Sequence, residues 1–326
     1  MRIKGLSRSV LALGASALVT CAVPALSAAA SAPVSRADTV HQSSVKHAGG
    51  QRAARTTNLT YHGGVGGSGV ETGADGVYIV QWGWTADPSG EGARQQAFFQ
   101  GVGGSTWNNS VTQYCQGVAS GTTTCGTSGT HATNPTGAYA GTWADDVNPV
   151  PSSITQTALA AEAVRAAAHF GRTAAGSNNT VQYVIDTPKG HSTSGFGTQF
   201  CAWHSGTSSS YGNIAYTNFP YMTDAGASCG QNFVNAGAAG LLDGVTIVGG
   251  HEFGETETDI IPNSGWLDSS GKENGDKCAW ISSSQGKSAD ITLSTGTFAV
   301  QSLWSNTFNS NKGGCVTFYA SALDQH

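Results

Sequence analysis

The chain has 326 residues, 45 of them glycine, and only 11% are charged, against about 25% in an average soluble domain. Seven of the 15 Lys and Arg precede Thr56, with one of the 20 acids, Asp38; residues 56–326 therefore hold 19 acids and 8 bases, a formal charge of -11. No basic stripe remains to follow a phosphate backbone, which argues against nucleic acid as a partner.

Residues 1–32 begin with Arg2, Lys4 and Arg8, continue through an apolar stretch from Val10 to Leu26 and end in Ala30-Ser31-Ala32. This is the pattern of a secretory signal, and it is too short and wrongly flanked for a stable span. No later stretch has the roughly 18 apolar residues that crossing a membrane requires, so a secreted, extracellular monomer is expected. Segment 33–57, with Arg36, Lys46, Arg52 and Arg55 among small polar residues, reads as a propeptide or disordered spacer that could be cut near Arg55. Residues 58–326 then form one domain.

Removing Cys21 with the signal leaves Cys115, Cys125, Cys201, Cys229, Cys278 and Cys315. An even count in an exported chain points to disulfides rather than thiolate ligands. Fifteen pairings are possible; nearest-neighbour pairing (115–125, 201–229, 278–315) is preferred because it closes three short loops.

Within the domain, Gly76–Trp84 is an apolar, β-branched and aromatic run that predicts a buried strand. A short helix follows over 95–102, then irregular strands over 106–115 and 122–125. Ser152 and Ser153 are the expected N-cap of an Ala-rich helix over 154–170, and Thr180–Asp186 is a second buried strand ending before Pro188. Strand, helix and strand in that order predict a βαβ element and a mixed sheet. The Gly/Ser/Thr stretches 120–137 and 205–213 read as loops. Ile214–Tyr221 reads as an edge strand leaving through Pro220, and Leu241–Asp259 as the second main helix, with Asp243 as its cap. A polar loop over 263–276 and strands over 297–304 and 315–319 complete an α+β, loop-rich, disulfide-stapled fold.

The second helix carries the chemistry. Glu252, Glu255, Glu257, Asp259, Asp268, Glu273 and Asp276 fall within the 25 residues from 252 to 276, against a single base, Lys272. On a helix, Glu252/Glu255 and Glu255/Asp259 are like-charged neighbours costing about 0.2–0.5 kcal/mol per pair, near the end whose dipole disfavours anions. A bound divalent cation would offset this; the alternative is a solvated acidic helix. His251 and Glu255, four residues apart, share a face and can converge on one ion, with Glu252 beside it as general base for water held there.

His251-Glu252-x-x-Glu255 resembles the His-Glu-x-x-His helix of zincin metallopeptidases, with glutamate in place of the second histidine. With Gly265-Trp266-x-Asp268-Ser269-Ser270-Gly271-x-Glu273-x-Gly275-Asp276-Lys277-Cys278-Ala279-Trp280, it resembles a group of secreted zincin-like proteins. Leu59–Gly64, the 77–84 strand and Cys201-Ala202-Trp203-His204 resemble the plant EXORDIUM/phosphate-induced secreted family. The zincin resemblance implies a zincin-like mixed sheet with two main helices, and a zinc-dependent peptidase with a peptide or protein substrate.

The third ligand could be Asp276, Asp259, Glu273, Asp268 or His204. Asp276 is favoured, on a loop anchored by Cys278, with Asp259 in a supporting role. One histidine and two carboxylates form a hard, anionic set for which zinc leads and calcium is an alternative. Asp268–Glu273 reads either as a polar turn or as a calcium loop. His204 is either a structural histidine, a third ligand or a catalytic donor to an oxyanion. Gly226-Ala227-Ser228-Cys229-Gly230 matches G-x-S-x-G only formally, because a cysteine adjoins the serine. The competing reading is a non-catalytic extracellular protein binding cell wall or carbohydrate, with structural calcium.

Overall fold

The computed structural model describes residues 41–44, 57–74 and 76–319; the expected signal and the proposed cut near Arg55 lie outside the described residues. In chain order the elements are β1 (His41–Ser44), β2 (Thr60–Tyr61), β3 (Gly76–Trp82), α1 (Glu91–Val102), β4 (Cys115–Gln116), β5 (Thr130–His131), β6 (Tyr139–Asp145), α2 (Gln156–His169) and β7 (Val181–Asp186). Then come β8 (Phe200–Ser209), β9 (Gly212–Phe219), α3 (Asp243–Thr258), β10 (Trp266–Leu267), β11 (Ala289–Leu293), β12 (Gly296–Val300), β13 (Leu303–Ser305) and β14 (Gly314–Val316). Helix (25%) and strand (26%) occur in near-equal amounts, as an α+β class requires.

A six-stranded mixed sheet in the order β1-β8-β9-β7-β3-β6 is the frame. β6, β3, β7 and β9 run parallel, and β8 and β1 are antiparallel to their neighbours. The β6–α2–β7 connection steps over β3, the βαβ geometry expected of parallel strands. Side chains alternate across β3: Val77 and Ile79 join the core shared with α1 and α3, while Tyr78, Val80 and Trp82 join the core under α2. The two main helices thus cover opposite faces. Three disulfides, Cys115–Cys125, Cys201–Cys229 and Cys278–Cys315, are formed. They fit an oxidising, extracellular setting. Among the described residues no helix is long and apolar enough to cross a membrane.

Several local expectations are corrected. Residues 108–113 form a 3-10 helix, because Ser110, Thr112 and Gln113 each donate to a carbonyl three residues back and so favour a tight turn over a strand. The cap of α2 is Thr155, whose hydroxyl accepts from Ala158 N at 3.2 Å. Asp243 is the first helical residue of α3; its carboxylate accepts from Val234 N and Asn235 N and ties down the preceding loop. Half of the 205–213 loop is β8, which pairs from Trp203 to Ser209 with β9 and makes β9 an interior strand, not an edge. In the polar loop 263–276, Trp266 and Leu267 pair with Tyr61 and Thr60. The 33–57 spacer contributes β1, the strand outside β8.

Candidate metal centre

α3 is buried along all 16 residues. Gly250 lets Trp107 and Phe98 close on one side, since a Cβ there would stand 3.1 Å from the Trp107 ring; at Gly254 a Cβ would stand 2.8 Å from Leu303 Cδ1. Each glycine costs a helix about 1 kcal/mol relative to alanine, and close packing offsets that cost. With no solvated face, the solvated acidic helix is excluded: the carboxylates of this segment must be matched inside the protein.

Three of the seven are matched away from the histidines. Glu257 accepts from Asn108 Nδ2 at 2.8 Å. Asp259 accepts from the backbone N–H groups of Asn263, Ser264 and Gly265 at 2.6–2.9 Å and turns the chain out of α3. Asp268 accepts from Ser270 N, Lys272 N and, at 2.8 Å, Lys277 Nζ. Although burial pushes the Asp268 carboxyl up, Lys277 and the turn amides outweigh it and hold it below its ordinary range. Of the two readings of 268–273 this favours the polar turn, here closed by a buried ion pair between Asp268 and Lys277, and Glu273 faces His204.

The remaining four carboxylates surround two imidazoles. His251 Nε2 lies 3.0 Å from Glu255 Oε1 and 4.0 Å from Asp276 Oδ1. His204 Nε2, delivered by β8, lies 3.5 Å from Glu255 Oε2 and 2.9 Å from Glu273 Oε2. His251, Glu255 and Asp276 form one group whose ligand atoms lie within 4.8 Å of one another, and His204, Glu252 and Glu255 form another. Glu255 is the hinge between them, with one oxygen toward each histidine.

Elements distant in sequence hold these groups in place. Gln301 Nε2 donates to Gly275 O at 2.8 Å, which leaves Gln301 Oε1 to accept from His251 Nδ1 at 3.1 Å. The free lone pair of that imidazole is then on Nε2, toward Glu255. The loop after β10 presses on the cluster: Asp276 N donates to Glu255 Oε1 at 2.8 Å, and a Cβ at Gly275 would meet Glu255 Oε1 at 2.9 Å. Asn274 Nδ2 donates to Gly254 O at 2.8 Å, Trp304 N donates to Asn274 O, and Cys278–Cys315 anchors the loop's end. Gln301 and Asn274 were not singled out from the sequence, and Gly275 entered only within the 265–280 motif. Only Gly275, between Asn274 and Asp276, carried a local hint.

A cation fits this donor set. The ligand atoms of His251, Glu255 and Asp276 lie within 4.8 Å of one another, with His251 Nε2 facing Glu255 Oε1 and Glu255 Oε2 turned toward His204. The spacings from His251 Nε2 to Glu255 Oε1 and Asp276 Oδ1, 3.0 and 4.0 Å, bracket the roughly 3.4 Å that separates ligands at about 2.1 Å from a tetrahedral ion. Burial pulls the His251 pKa down, but Glu255 first, then Glu252 and Asp276, override it and push it up to about 10. A proton on His251 supplies positive charge when no metal does. Ser228 takes no part: its hydroxyl donates to the carbonyls of Gly197 and Ala225, consistent with a structural turn. No family model, curated protein or solved structure matches the chain.

Proposed function

We propose that the protein is an exported metal-dependent hydrolase of peptide bonds, zincin-like in its helix chemistry. His251, Glu255 and Asp276 hold the ion, with zinc favoured over calcium, and Glu252 is the general base. What supports the reading is the buried grouping of His251, Glu255 and Asp276, whose ligand atoms lie within 4.8 Å of one another. When bound, the ion supplies Lewis acidity to the scissile carbonyl. Glu252 takes a proton from the attacking water as its oxygen bonds to the carbonyl carbon, then gives that proton to the departing amine as the C–N bond breaks. His204 donates to the carbonyl oxygen as negative charge grows there. Gln301 keeps the His251 lone pair aimed at the ion through the Nδ1 bond.

A second reading has a specific observation behind it: His251, Glu252, Glu255 and His204 are each at most 2% exposed, as befits a closed structural ion in a non-catalytic binding protein. Elemental analysis of the purified protein, with fluorogenic peptide hydrolysis measured before and after chelation, separates the two. The peptidase reading expects Glu252→Gln to retain metal and lose about 10²–10⁴-fold in rate. Bound metal without chelator-sensitive cleavage would assign the structural ion, and a metal-free protein that cleaves equally well would sink both.

A further inference from the structure

A cleft of about 620 Å³ lies between the glycine-rich segment 101–107 that follows α1, the strand β11 with Ser294 beyond it, and Thr317–Phe318. That volume falls within the roughly 300–1,000 Å³ of small-molecule sites. A second depression of about 190 Å³ shares Thr317 and Phe318 with it, so the concave surface continues past the Phe318 ring. No residue of the metal cluster lines either one.

The walls are set by packing. A Cβ at Gly103 would collide with Pro135 O and one at Gly101 with Thr295 Oγ1, while Gly104 takes a left-handed φ of +77° that only glycine adopts at little cost. The floor, Trp107, is buried and donates its Nε1–H to Gln301 O at 2.8 Å. The cleft is thus formed before any ligand arrives.

Its chemistry is selective. No lysine, arginine or histidine lines it, and its single charge is Asp290. Asn235, itself bonded to Asp243, donates to Asp290 Oδ1 at 2.9 Å and orients that carboxylate. The hydroxyls of Thr106, Thr292, Ser294 and Thr317 make no hydrogen bond among the described residues. Phe318 is 62% exposed, the one aromatic among the exposed large hydrophobics described. An anionic ligand would meet Asp290 with no cation to offset it. A wholly apolar ligand would strip water from the carboxylate and hydroxyls without replacing its bonds. A neutral sugar answers both demands, with an apolar ring face for Phe318 and hydroxyls for the polar wall. An uncharged peptide is the competing occupant, but an extended peptide needs pockets for alternate side chains, and this lining offers one aromatic face.

We propose that this cleft binds a neutral oligosaccharide, with Phe318 against the face of one sugar ring and Asp290 accepting from sugar hydroxyls. The inference goes beyond the peptidase reading and needs neither its ion nor its turnover.

The test is titration calorimetry of the full chain with cellohexaose, xylohexaose, chitohexaose and laminarihexaose. Hexagalacturonate is the anionic control and acetyl-(Gly-Ser-Thr)₂-amide the peptide control. At least one neutral sugar should bind with Kd below about 1 mM, and neither control should. Phe318→Ala should weaken that binding about tenfold, Phe318→Tyr should keep it, and Asp290→Ala should weaken it about tenfold. These side chains are exposed, so melting temperature and metal content should match the parent; if Asp290→Ala melts early, the Phe318 pair decides. Chelation should leave sugar binding unchanged. The proposal is overturned if no neutral sugar binds, if binding survives Phe318→Ala undiminished, if either control binds as tightly, or if chelation abolishes the binding.

Discussion

α2 and α3 lie on opposite faces of one sheet and stay there for different reasons. α2 is amphipathic: Leu159, Ala163, Ala166 and Ala167 face the sheet, and its one buried acid, Glu162, is paired with Arg165. Ordinary transfer of apolar surface, about 25 cal/mol per Å², accounts for its position. α3 buries His251, Glu252, Glu255 and Glu257 along with its valines and isoleucine, and apolar transfer cannot account for that. The difference teaches that α3 is held by polar matching, which the proposed ion would complete.

The sharpest way to break this contrast is to strip metal. Ligand at a thousand times its dissociation constant stabilises by about 4 kcal/mol, so chelation should lower the melting temperature by roughly 10 °C, and zinc should restore it. An unchanged melting curve would mean that the protein itself satisfies α3. Leu159→Ala on α2 should cost about 2–5 kcal/mol yet leave metal content at the parent level; a loss of metal would show that the two faces are coupled.

Acidity separates the helices further. The His251 pKa is raised from 6.5 to about 10 in the fold. In the stripped protein its stabilising effect is therefore full below pH 6.5 and disappears as pH rises through 10. Metal must displace that proton, so affinity should strengthen by up to about tenfold per pH unit across the same window. The melting-temperature gap between loaded and stripped protein should widen from pH 6 to 9, and a constant gap would move the ion away from His251.

Glu162 supplies the smallest effect. Burial lifts its pKa from 4.5 to about 7 despite Arg165. A carboxyl raised in the fold binds more protons there than when unfolded, so its contribution to stability falls between pH 4.5 and 7 and is level above. Glu162→Gln should flatten that slope, read as the change in melting temperature between pH 4.5 and 7. A steep slope that survives the replacement would assign it elsewhere.

Much of this contrast is legible in the residues themselves. The i,i+4 spacing of His251 and Glu255 requires only helical geometry, and the apolar runs at β3 and β7 stand out because strands buried on both faces carry no alternation. β8 escapes such reading: Ser205, Gly206, Thr207 and Ser208 resemble a linker, and it is sheet pairing and cover from both faces that make them a strand. The charge imbalance points to the right segment but overstates the cluster, since Glu257, Asp259 and Asp268 find Asn108, a backbone turn and Lys277. Gln301 is invisible in principle, because its role exists only once β12 lies against α3.

The cluster is gripped at both ends by sulfur. Cys201–Cys229 fixes β8 three residues before His204, and Cys278–Cys315 fixes the loop two residues after Asp276. The second bond spans 37 residues, so Asp276 gains its anchor only after the strand carrying Cys315 has been synthesised and oxidised. A chain still reduced inside the producing cell would lack both staples even if β3, β6 and β7 had already paired. On the proposed reading the ion site is thus a late product of maturation, and its metal occupancy would record whether a given molecule had completed oxidation.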